Sequence, residues 1–334
     1  MKICVVGAGA IGGYLAVKLA LAGNDVSVVI RGANLKAVRE NGMKLVMEDG
    51  SEHVAKIHAS DKITDIGVQD IVVLGMKAHQ VAAVAQEIPS LLGPETVIVT
   101  AQNGVPWWYF HKTGDEFEGR RVEAVDPDGA VSNHIDADRV IGSIVYPACE
   151  MLEPGVIKHI EGNRFSLGEI DGSDTPRVRM VADAFRKAGL KAPVVSDIRS
   201  EIWLKLWGNL SFNPISSLTH ATLVDICEFA PSRELAARMM TEAQVIAEKL
   251  GVHFKVSLEK RIAGAAAVGK HKTSMLQDIE AGRPIELEAL VGTVIEMGKI
   301  TESPTTNIEA VYALAALLSR TLADQKGRLR VDAP

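Results

Sequence analysis

Residues 2–30 read KICVVGAGAIGGYLAVKLALAGNDVSVVI, and this stretch decides the fold. The β-branched run 3–6 predicts a buried parallel strand, and residues 14–22 predict a helix that stops at Gly23-Asn24. Residues 25–30 predict a second strand. A strand, a glycine-rich turn, a helix and a strand within about 30 residues are typical of the βαβ unit that binds dinucleotides.

The turn has the pattern G-x-G-x-x-G. We predict that all six of its residues bind a dinucleotide: Gly7, Ala8, Gly9, Ala10, Ile11 and Gly12. In this motif the first glycine allows the tight turn, the second lets the backbone approach a pyrophosphate, and the third lets helix and strand pack closely. The pyrophosphate would lie at the helix N-terminus, where free N–H groups and the helix dipole favour an anion.

The end of the second strand indicates which dinucleotide binds. NAD enzymes usually have Asp or Glu there, on the ribose 2′-hydroxyl, but this chain has Ile30-Arg31-Gly32. A guanidinium binds a 2′-phosphate through paired, charge-assisted hydrogen bonds. We therefore expect NADP(H) rather than NAD(H). A solvated surface arginine is the alternative for Arg31.

Two further predicted strands, 71–75 and 96–100, are each followed by a polar residue, Lys77 and Asn103 respectively. Strands that alternate with helices, here a predicted helix over 81–92, indicate an α/β fold with a doubly wound parallel Rossmann sheet. Ligands of such sheets bind beyond the carboxyl ends of the strands. We therefore predict that both side chains face the cofactor, with ordinary turn residues as the alternative.

The remaining chain divides near residue 196. Residues 107–140 predict a loop with short elements that covers the site; strands are predicted over 140–147, 156–160, 165–167 and 193–195, and a helix over 175–189. Beyond that point helical spacing dominates, over 198–212, 232–250, 257–267, 284–299 and 306–321. We predict an NADP-binding domain over 1–196 and an all-α domain over 197–334, whose polar last residues, 323–334, fray.

Residues 202–214 read IWLKLWGNLSFNP, and Lys205, Asn209 and Asn213 recur at every fourth position. Successive members lie about 40° apart around a helix, so they form one polar stripe on an otherwise apolar helix. Desolvation lowers the pKa of a lysine until it can donate a proton, and carboxamides can hold ketone or carboxylate groups. We expect Pro214 to end or kink the helix. The alternative is that Lys205 lies on a solvent-exposed face.

Two more candidates follow in the helical part. Residues 271–278 read HKTSMLQD and combine basic and hydroxyl groups suited to a carboxylate. Ser274 in this segment is a candidate substrate contact or a plain helix N-cap. Glu286 falls in the first turn of the helix predicted from Pro284, where an acid also interacts favourably with the helix dipole, so capping is its alternative.

The composition argues against several classes of protein. A net charge of −6 and 4% aromatic residues argue against nucleic-acid binding. Three distant cysteines, and nine histidines without a metal-binding pair, indicate neither a disulfide framework nor a metal site. We recognise neither a secretion signal nor an apolar run of about 18 residues, and so expect a cytoplasmic protein without membrane attachment.

Seven separated motifs, in this order, resemble the ketopantoate reductase (2-dehydropantoate 2-reductase) family. They are GAGAIGG at 7–13, Arg31, MKAHQ at 76–80, QNG at 102–104, EPGVIKH at 153–159, IWLKLWGNLSFNPISSLT at 202–219 and SMLQDIEAGRPIE at 274–286. The resemblance implies NADPH-dependent reduction of ketopantoate, or a related branched 2-oxo acid, in pantothenate biosynthesis. Hydride would pass from nicotinamide C4 to the ketone carbon, and Lys205 would act as the general acid.

The resemblance also implies further roles. Substrate contacts would come from Asn103, Lys205, Asn209, Asn213 and Ser274. Glu286 would be catalytic and would contact the cofactor at its junction with the substrate. Arg31 matches the 2′-phosphate arginine, and Lys77 and Asn103 match positions that contact the cofactor. A homodimer is a further implication.

Two alternative functions stay open for the chain. Dehydrogenases of the 6-phosphogluconate or β-hydroxyacid type also join a Rossmann domain to a helical domain with Lys-x-x-x-Asn, although segment 274–286 argues against them. A non-catalytic NADP-binding sensor is the other, although it would have no need for Lys205 beside two asparagines. Region 107–138, longer than the family requires, leaves the exact substrate open.

Overall fold

The computed structural model of the chain describes residues 1–327, which form two compact units. The first unit contains Met1–Arg121 and Asp126–Ile198, and the second contains Val122–Val125 and the chain from Arg199 on. The sequence did not predict that the four residues Val122–Val125 belong to the second unit. Of the segment predicted to fray, residues 328–334 lie outside the described part.

The first unit contains two β-sheets. Its strands are β1 (Lys2–Val6), β2 (Asp25–Val29), β3 (Met43–Val46), β4 (Glu52–Ala55), β5 (His58–Ser60), β6 (Gln69–Leu74), β7 (Leu92–Thr100), β8 (Val140–Val145), β9 (Ala148–Glu153), β10 (Val156–Glu161) and β11 (Phe165–Glu169). The main sheet has seven strands in the order β11-β8-β7-β6-β1-β2-β5. All neighbours in it are parallel except β8 and β11. The prediction of a doubly wound parallel sheet is confirmed, except that the edge strand β11 is antiparallel to β8.

The second sheet has the order β4-β3-β10-β9, and the sequence predicted only its β10 strand. The sequence did not predict β3 and β4, which have only four residues each, or β9, in which no residue is fully buried. This sheet packs on the first helix. A Cβ at Gly13 would lie 2.7 Å from Ile157 Cγ1, and His159 stacks on Tyr14 with ring centroids 5.0 Å apart.

The helices of the first unit are α1 (Ala10–Leu21), α2 (Gly32–Asn41), α3 (Ala78–Val81) and α4 (Pro176–Lys187). The predicted helix over 81–92 is wrong, because α3 ends at Val81 and a 3₁₀ helix occupies Ala85–Leu91. Pro89 lies inside that segment and cannot donate the backbone hydrogen bond of a regular α-helix. The predicted strand over 193–195 is an isolated bridge between Val194 and Leu167.

Residues 107–139 form turns and two 3₁₀ helices, Pro127–Gly129 and Ala137–Arg139. Aromatic side chains anchor this region, since Trp108, Tyr109 and Phe110 are all buried. The fully buried Asp126 carboxylate accepts a hydrogen bond from the Val131 backbone N–H at 2.6 Å. The segment is therefore packed structure rather than an open loop.

The second unit is helical, as predicted. Its helices are α5 (Ile198–Thr219, whose first residue belongs to the first unit), α6 (Leu223–Glu228), α7 (Ala230–Lys249), α8 (Leu258–Ala267), α9 (Ser274–Glu280), α10 (Thr293–Ile300) and α11 (Thr306–Asp324). No helix within residues 1–327 combines the length and the hydropathy that crossing a membrane requires.

Two predicted helix boundaries in this unit are wrong. Helix α5 continues through Pro214 to Thr219, because residues on both sides of the proline, such as Leu210 and Ile215, are buried and their packing holds the helix. The helix predicted from Pro284 begins only at Leu287 and opens with a π-helical turn, Glu288–Gly292.

Candidate active site

The three motif glycines have distinct environments at the end of β1. Gly7 has a φ of +89°, and a Cβ there would lie 2.6 Å from Met76 Cβ. A Cβ at Gly12 would overlap the carbonyl oxygen of Gly7, so only glycine allows helix α1 to approach this turn. A Cβ at Gly9 would meet no atom within 4 Å, so the backbone there borders open space. A dinucleotide pyrophosphate fits this arrangement.

Helix α1 presents its N-terminus beside that open space. Gly9 is the N-cap, and no acidic side chain lies in the first turn, which begins with Ala10 and Ile11. The Gly9 carbonyl accepts the Gly13 N–H at 2.7 Å, and Ala8 before it is buried. Unshielded first-turn N–H groups make this end of the helix suitable for an anion.

Arg31 follows β2 and is the N-cap of α2, with φ −131° and ψ 165°. Its side chain is exposed, and the end of β2 carries valine and isoleucine rather than a carboxylate. Asn34, in the first turn of the same helix, donates a hydrogen bond from Nδ2 to the Ala8 carbonyl at 3.2 Å. No sequence pattern indicates a role for Asn34, apart from its closeness to Arg31.

Lys77 and Asn103 follow the carboxyl ends of β6 and β7. Val6 is paired with Leu74, and Leu74 with Thr100, so the ends of β1, β6 and β7 are level. Both side chains are partly buried. The structure therefore brings these two positions to the same sheet edge as the glycine-rich turn.

Helix α5 carries the predicted polar stripe. Lys205 and Asn209 are partly buried and Asn213 is buried, so the alternative of a solvent-exposed face does not hold. The flanking Trp203 and Trp207 are fully buried, and the Trp207 indole N–H donates to the Met240 carbonyl at 2.6 Å. These anchors fix the rotation of the helix and hence the direction of the stripe.

The electrostatic environment of Lys205 favours proton transfer. Burial lowers the pKa of its ammonium to about 8, and the negative charge of Glu286 opposes that change. A lysine in this range is mostly protonated at neutral pH and gives up its proton more readily than a solvated lysine. The same group can act as an acid in one direction of a reaction and as a base in the other.

Ser274 is the first residue of α9 and is exposed. Thr273 is the N-cap, since its hydroxyl accepts the Leu276 N–H at 3.3 Å, so Ser274 as the N-cap is wrong. The Asn213 amide donates from Nδ2 to Ser274 Oγ at 3.4 Å. The structure thus joins two predicted substrate contacts from segments 61 residues apart.

Glu286 is partly buried and lies two residues before the π-helical turn Glu288–Gly292. Its carbonyl accepts the Leu290 N–H at 3.3 Å. Within the turn, a Cβ at Gly292 would overlap the Glu288 carboxylate, and Tyr312 donates its hydroxyl hydrogen to Glu288 Oε1 at 2.7 Å. Turns of this kind occur frequently at functional sites.

The predicted residues fall into two sets. Residues 7–12, Arg31, Lys77 and Asn103 lie in the first unit. Lys205, Asn209, Asn213, Ser274 and Glu286 lie in the second. The first set suits a dinucleotide, and the second combines a proton donor, two amides, a hydroxyl and a carboxylate. Within the described residues, no three His, Cys, Asp or Glu side chains are grouped to hold a metal ion.

Two family models match the chain. The model described as "Ketopantoate reductase PanE/ApbA" matches residues 3–172, and "Ketopantoate reductase PanE/ApbA C terminal" matches residues 197–319. A protein of Mesorhizobium japonicum named 2-dehydropantoate 2-reductase is 55% identical over 328 residues. It covers 98% of this chain and 99% of its own length.

Solved structures are similar over nearly the whole chain. A crystal structure from Ralstonia solanacearum MolK2, provisionally assigned as a ketopantoate reductase, is 40% identical with a TM-score of 0.92. It covers 96% of this chain and 98% of that one. D-mandelate dehydrogenase with NADH and anilino(oxo)acetate is 19% identical with a TM-score of 0.82, covering 97% and 99%. At that identity the second likeness shows the fold alone.

Proposed function

Because this chain belongs to the ketopantoate reductase family, we propose that it reduces 2-dehydropantoate, or a closely related branched 2-oxo acid, with NADPH. It is an oxidoreductase acting on CH–OH groups. The main support for the proposed mechanism is the polar stripe on α5. There Lys205, with a pKa of about 8, is aligned with Asn209 and Asn213.

Lys205 is the general acid in this proposal. NADPH, when bound, supplies the hydride that reaches the ketone carbon. The ammonium of Lys205 then gives its proton to the developing alkoxide oxygen, and its lowered pKa reduces the free-energy cost of that transfer. Glu286 acts with it, because the negative charge keeps the lysine protonated at neutral pH.

The neighbouring polar groups orient the substrate in this proposal. The amides of Asn209 and Asn213 hold the ketone and carboxylate oxygens, and the Ser274 hydroxyl contacts the carboxylate. The hydrogen bond from Asn213 to Ser274 supports this assignment, since it holds the hydroxyl near the stripe before substrate binds.

The nucleotide is assigned to the first unit. Residues 7–12 take the pyrophosphate at the N-terminus of α1, and Lys77 and Asn103 contact the cofactor beyond β6 and β7. Arg31 takes the 2′-phosphate, which is why we propose NADPH over NADH. The absence of a carboxylate between the end of β2 and the first turn of α2 supports this choice.

Steady-state oxidation of NADPH and NADH by the purified chain tests the whole assignment. The substrates are ketopantoate, pyruvate and 2-oxoisovalerate, and a 3-hydroxy acid is tested in the reverse direction with NADP⁺ or NAD⁺ as the oxidant. Fast NADPH-selective turnover of ketopantoate is the expected result. Activity confined to the 3-hydroxy acid would indicate a β-hydroxyacid-type dehydrogenase, and NADPH binding without any turnover would indicate a sensor.

Arg31→Ala tests the cofactor assignment separately. Loss of a charge-assisted contact should weaken NADPH binding by about 10- to 100-fold and leave NADH binding nearly unchanged. Lys36→Ala, which removes an exposed cation from the same helix, is the matched control. Equal losses for both nucleotides would contradict the 2′-phosphate role.

We also propose a cytoplasmic homodimer. The three cysteines are free, which suits a reducing compartment. Light scattering behind size exclusion measures the assembly. A mass of twice the chain supports the dimer, and a mass of one chain contradicts it.

A further inference from the structure

Asn34 joins three separate segments of the first unit. Its Nδ2 donates to the Ala8 carbonyl at 3.2 Å, and its Oδ1 accepts the Gly155 backbone N–H at 2.7 Å. These partners lie 26 and 121 residues away along the chain. Ala8 belongs to the glycine-rich turn, and Gly155 lies in the turn between β9 and β10.

The orientation of the Asn34 amide follows from these partners. A backbone N–H can only donate, so the carbonyl oxygen of the amide faces Gly155, and the amide NH₂ therefore faces the Ala8 carbonyl. Gly155 is itself held, with a φ of +80° and its carbonyl accepting the Lys44 N–H of β3 at 2.8 Å. The second sheet thus fixes the side chain that contacts the glycine-rich turn.

The hydrogen bond from Asn34 to the Ala8 carbonyl determines where the next backbone N–H group, that of Gly9, points. A trans peptide directs its C=O and N–H to opposite sides. The hydrogen bond from Asn34 to the Ala8 carbonyl therefore turns the Gly9 N–H away from α2. A Cβ at Gly9 would meet no atom within 4 Å. The open space beside Gly9 is the one that we assign to the pyrophosphate.

The same side chain belongs to the helix that begins after Arg31. Asn34 lies in the first turn of α2, for which Arg31 is the N-cap. We propose that Asn34 is a positioning residue that couples the pyrophosphate subsite at residues 7–12 to the 2′-phosphate subsite at Arg31. The inference rests on the proposed use of NADPH. It concerns what keeps the two anion subsites at a fixed distance and orientation from each other.

A double-mutant cycle tests the coupling. Arg31→Ala, Asn34→Ala and the double variant are titrated with NADPH and with 2′-AMP, which occupies the 2′-phosphate subsite without a pyrophosphate. Asn34→Ala should weaken NADPH about tenfold and 2′-AMP by less than about threefold. The loss caused by Arg31→Ala on NADPH should be about fivefold or more smaller in the Asn34→Ala background.

Asn41→Ala, at the exposed C-terminal end of the same helix, is the control and should change neither affinity. If Asn34→Ala does not fold, Asn34→Ser replaces it, since its hydroxyl is too short to reach both partners. Independent effects of the two substitutions on NADPH would overturn the coupling while leaving the cofactor assignment intact. No effect of Arg31→Ala on NADPH would overturn both.

Discussion

At the scale of single residues, Lys205 shows how placement alone changes chemistry. The side chain is that of any lysine, but its position between buried tryptophans on α5 removes much of its hydration. Burial lowers its pKa from 10.5 to about 8, and the Glu286 charge limits that decrease. The balance between these two effects sets the pH range in which a proton can be given or taken.

Lys205→Met should lower kcat for reduction by about 10²- to 10⁴-fold, because methionine keeps the apolar stem and removes the proton donor. NADPH binding, measured separately by fluorescence, should change little. Lys260→Met, at an exposed position of α8, is the matched control and should keep full activity. Normal turnover by Lys205→Met would disprove the general-acid role.

Glu286→Gln should move the pH dependence of reduction in a defined direction. Protonated lysine is the acid, so reduction by the unchanged chain should decline as the pH rises through about 8. The glutamate charge raises the pKa of Lys205, so its removal lowers that pKa, and the decline should begin at lower pH. A profile that stays in place, or moves to higher pH, would contradict the pairing.

At the scale of elements, Gly292 in the π-helical turn leaves room for the side chain of Glu288. A Cβ at Gly292 would occupy the space of the Glu288 carboxylate, which Tyr312 holds by its hydroxyl. Burial, and then the contact with Glu288, raise the pKa of Tyr312 to about 12, so this hydroxyl keeps its proton over the working range. A neutral donor and a carboxylate acceptor therefore join Glu288 of the turn to Tyr312 of α11.

Two glycine substitutions separate the steric contact between residue 292 and Glu288 from the effect of helix propensity. Gly264→Ala in α8, where a Cβ meets nothing within 4 Å, should stabilise the protein by up to about 1 kcal/mol. Gly292→Ala should lack that gain, because its methyl group displaces Glu288 from Tyr312, and should be about 1–2 kcal/mol less stable than Gly264→Ala. Urea unfolding measures both variants, and equal stability would contradict the steric argument.

Some elements could be predicted from the sequence and others could not. The first βαβ unit and the stripe on α5 were predictable because their signals are local: a glycine pattern between two strands, and polar residues at every fourth position. The second sheet was not, because β3 has only four residues and pairs with the predicted strand β10 across more than one hundred residues. Asn34 and Glu288 were missed for the same reason, since distant partners define what they do.

At the scale of the whole molecule, the chain contributes to the second unit twice. Residues 122–125 belong to it although they interrupt the first unit, and Val122 is fully buried there. The Glu296 carboxylate of α10 accepts the backbone N–H groups of Glu123 and Ala124 at 2.8 and 2.9 Å. One side chain thus holds a segment that lies 172 residues earlier in the chain.

Glu296→Ala should release that segment. Its two amide acceptors would be lost, so hydrogen exchange at Glu123 and Ala124 should become at least about tenfold faster. Mass spectrometry of peptides covering 119–128 measures the change. Glu259→Ala, an exposed acid of α8, is the control and should leave exchange there as it is. Unchanged exchange in Glu296→Ala would contradict the role of the Glu296 carboxylate in holding the segment.

The level ends of β1, β6 and β7 restrict how the chain can vary in length. Deleting one residue from β6 would draw the position of Lys77 back by about 3.3 Å and turn the following side chains to the opposite face. Insertions at the opposite edge of the sheet, where Leu92 enters β7, would leave these carboxyl ends aligned. Relatives that keep the chemistry are therefore expected to differ in length at that far edge, and to keep the number of residues between Gln69 and Lys77.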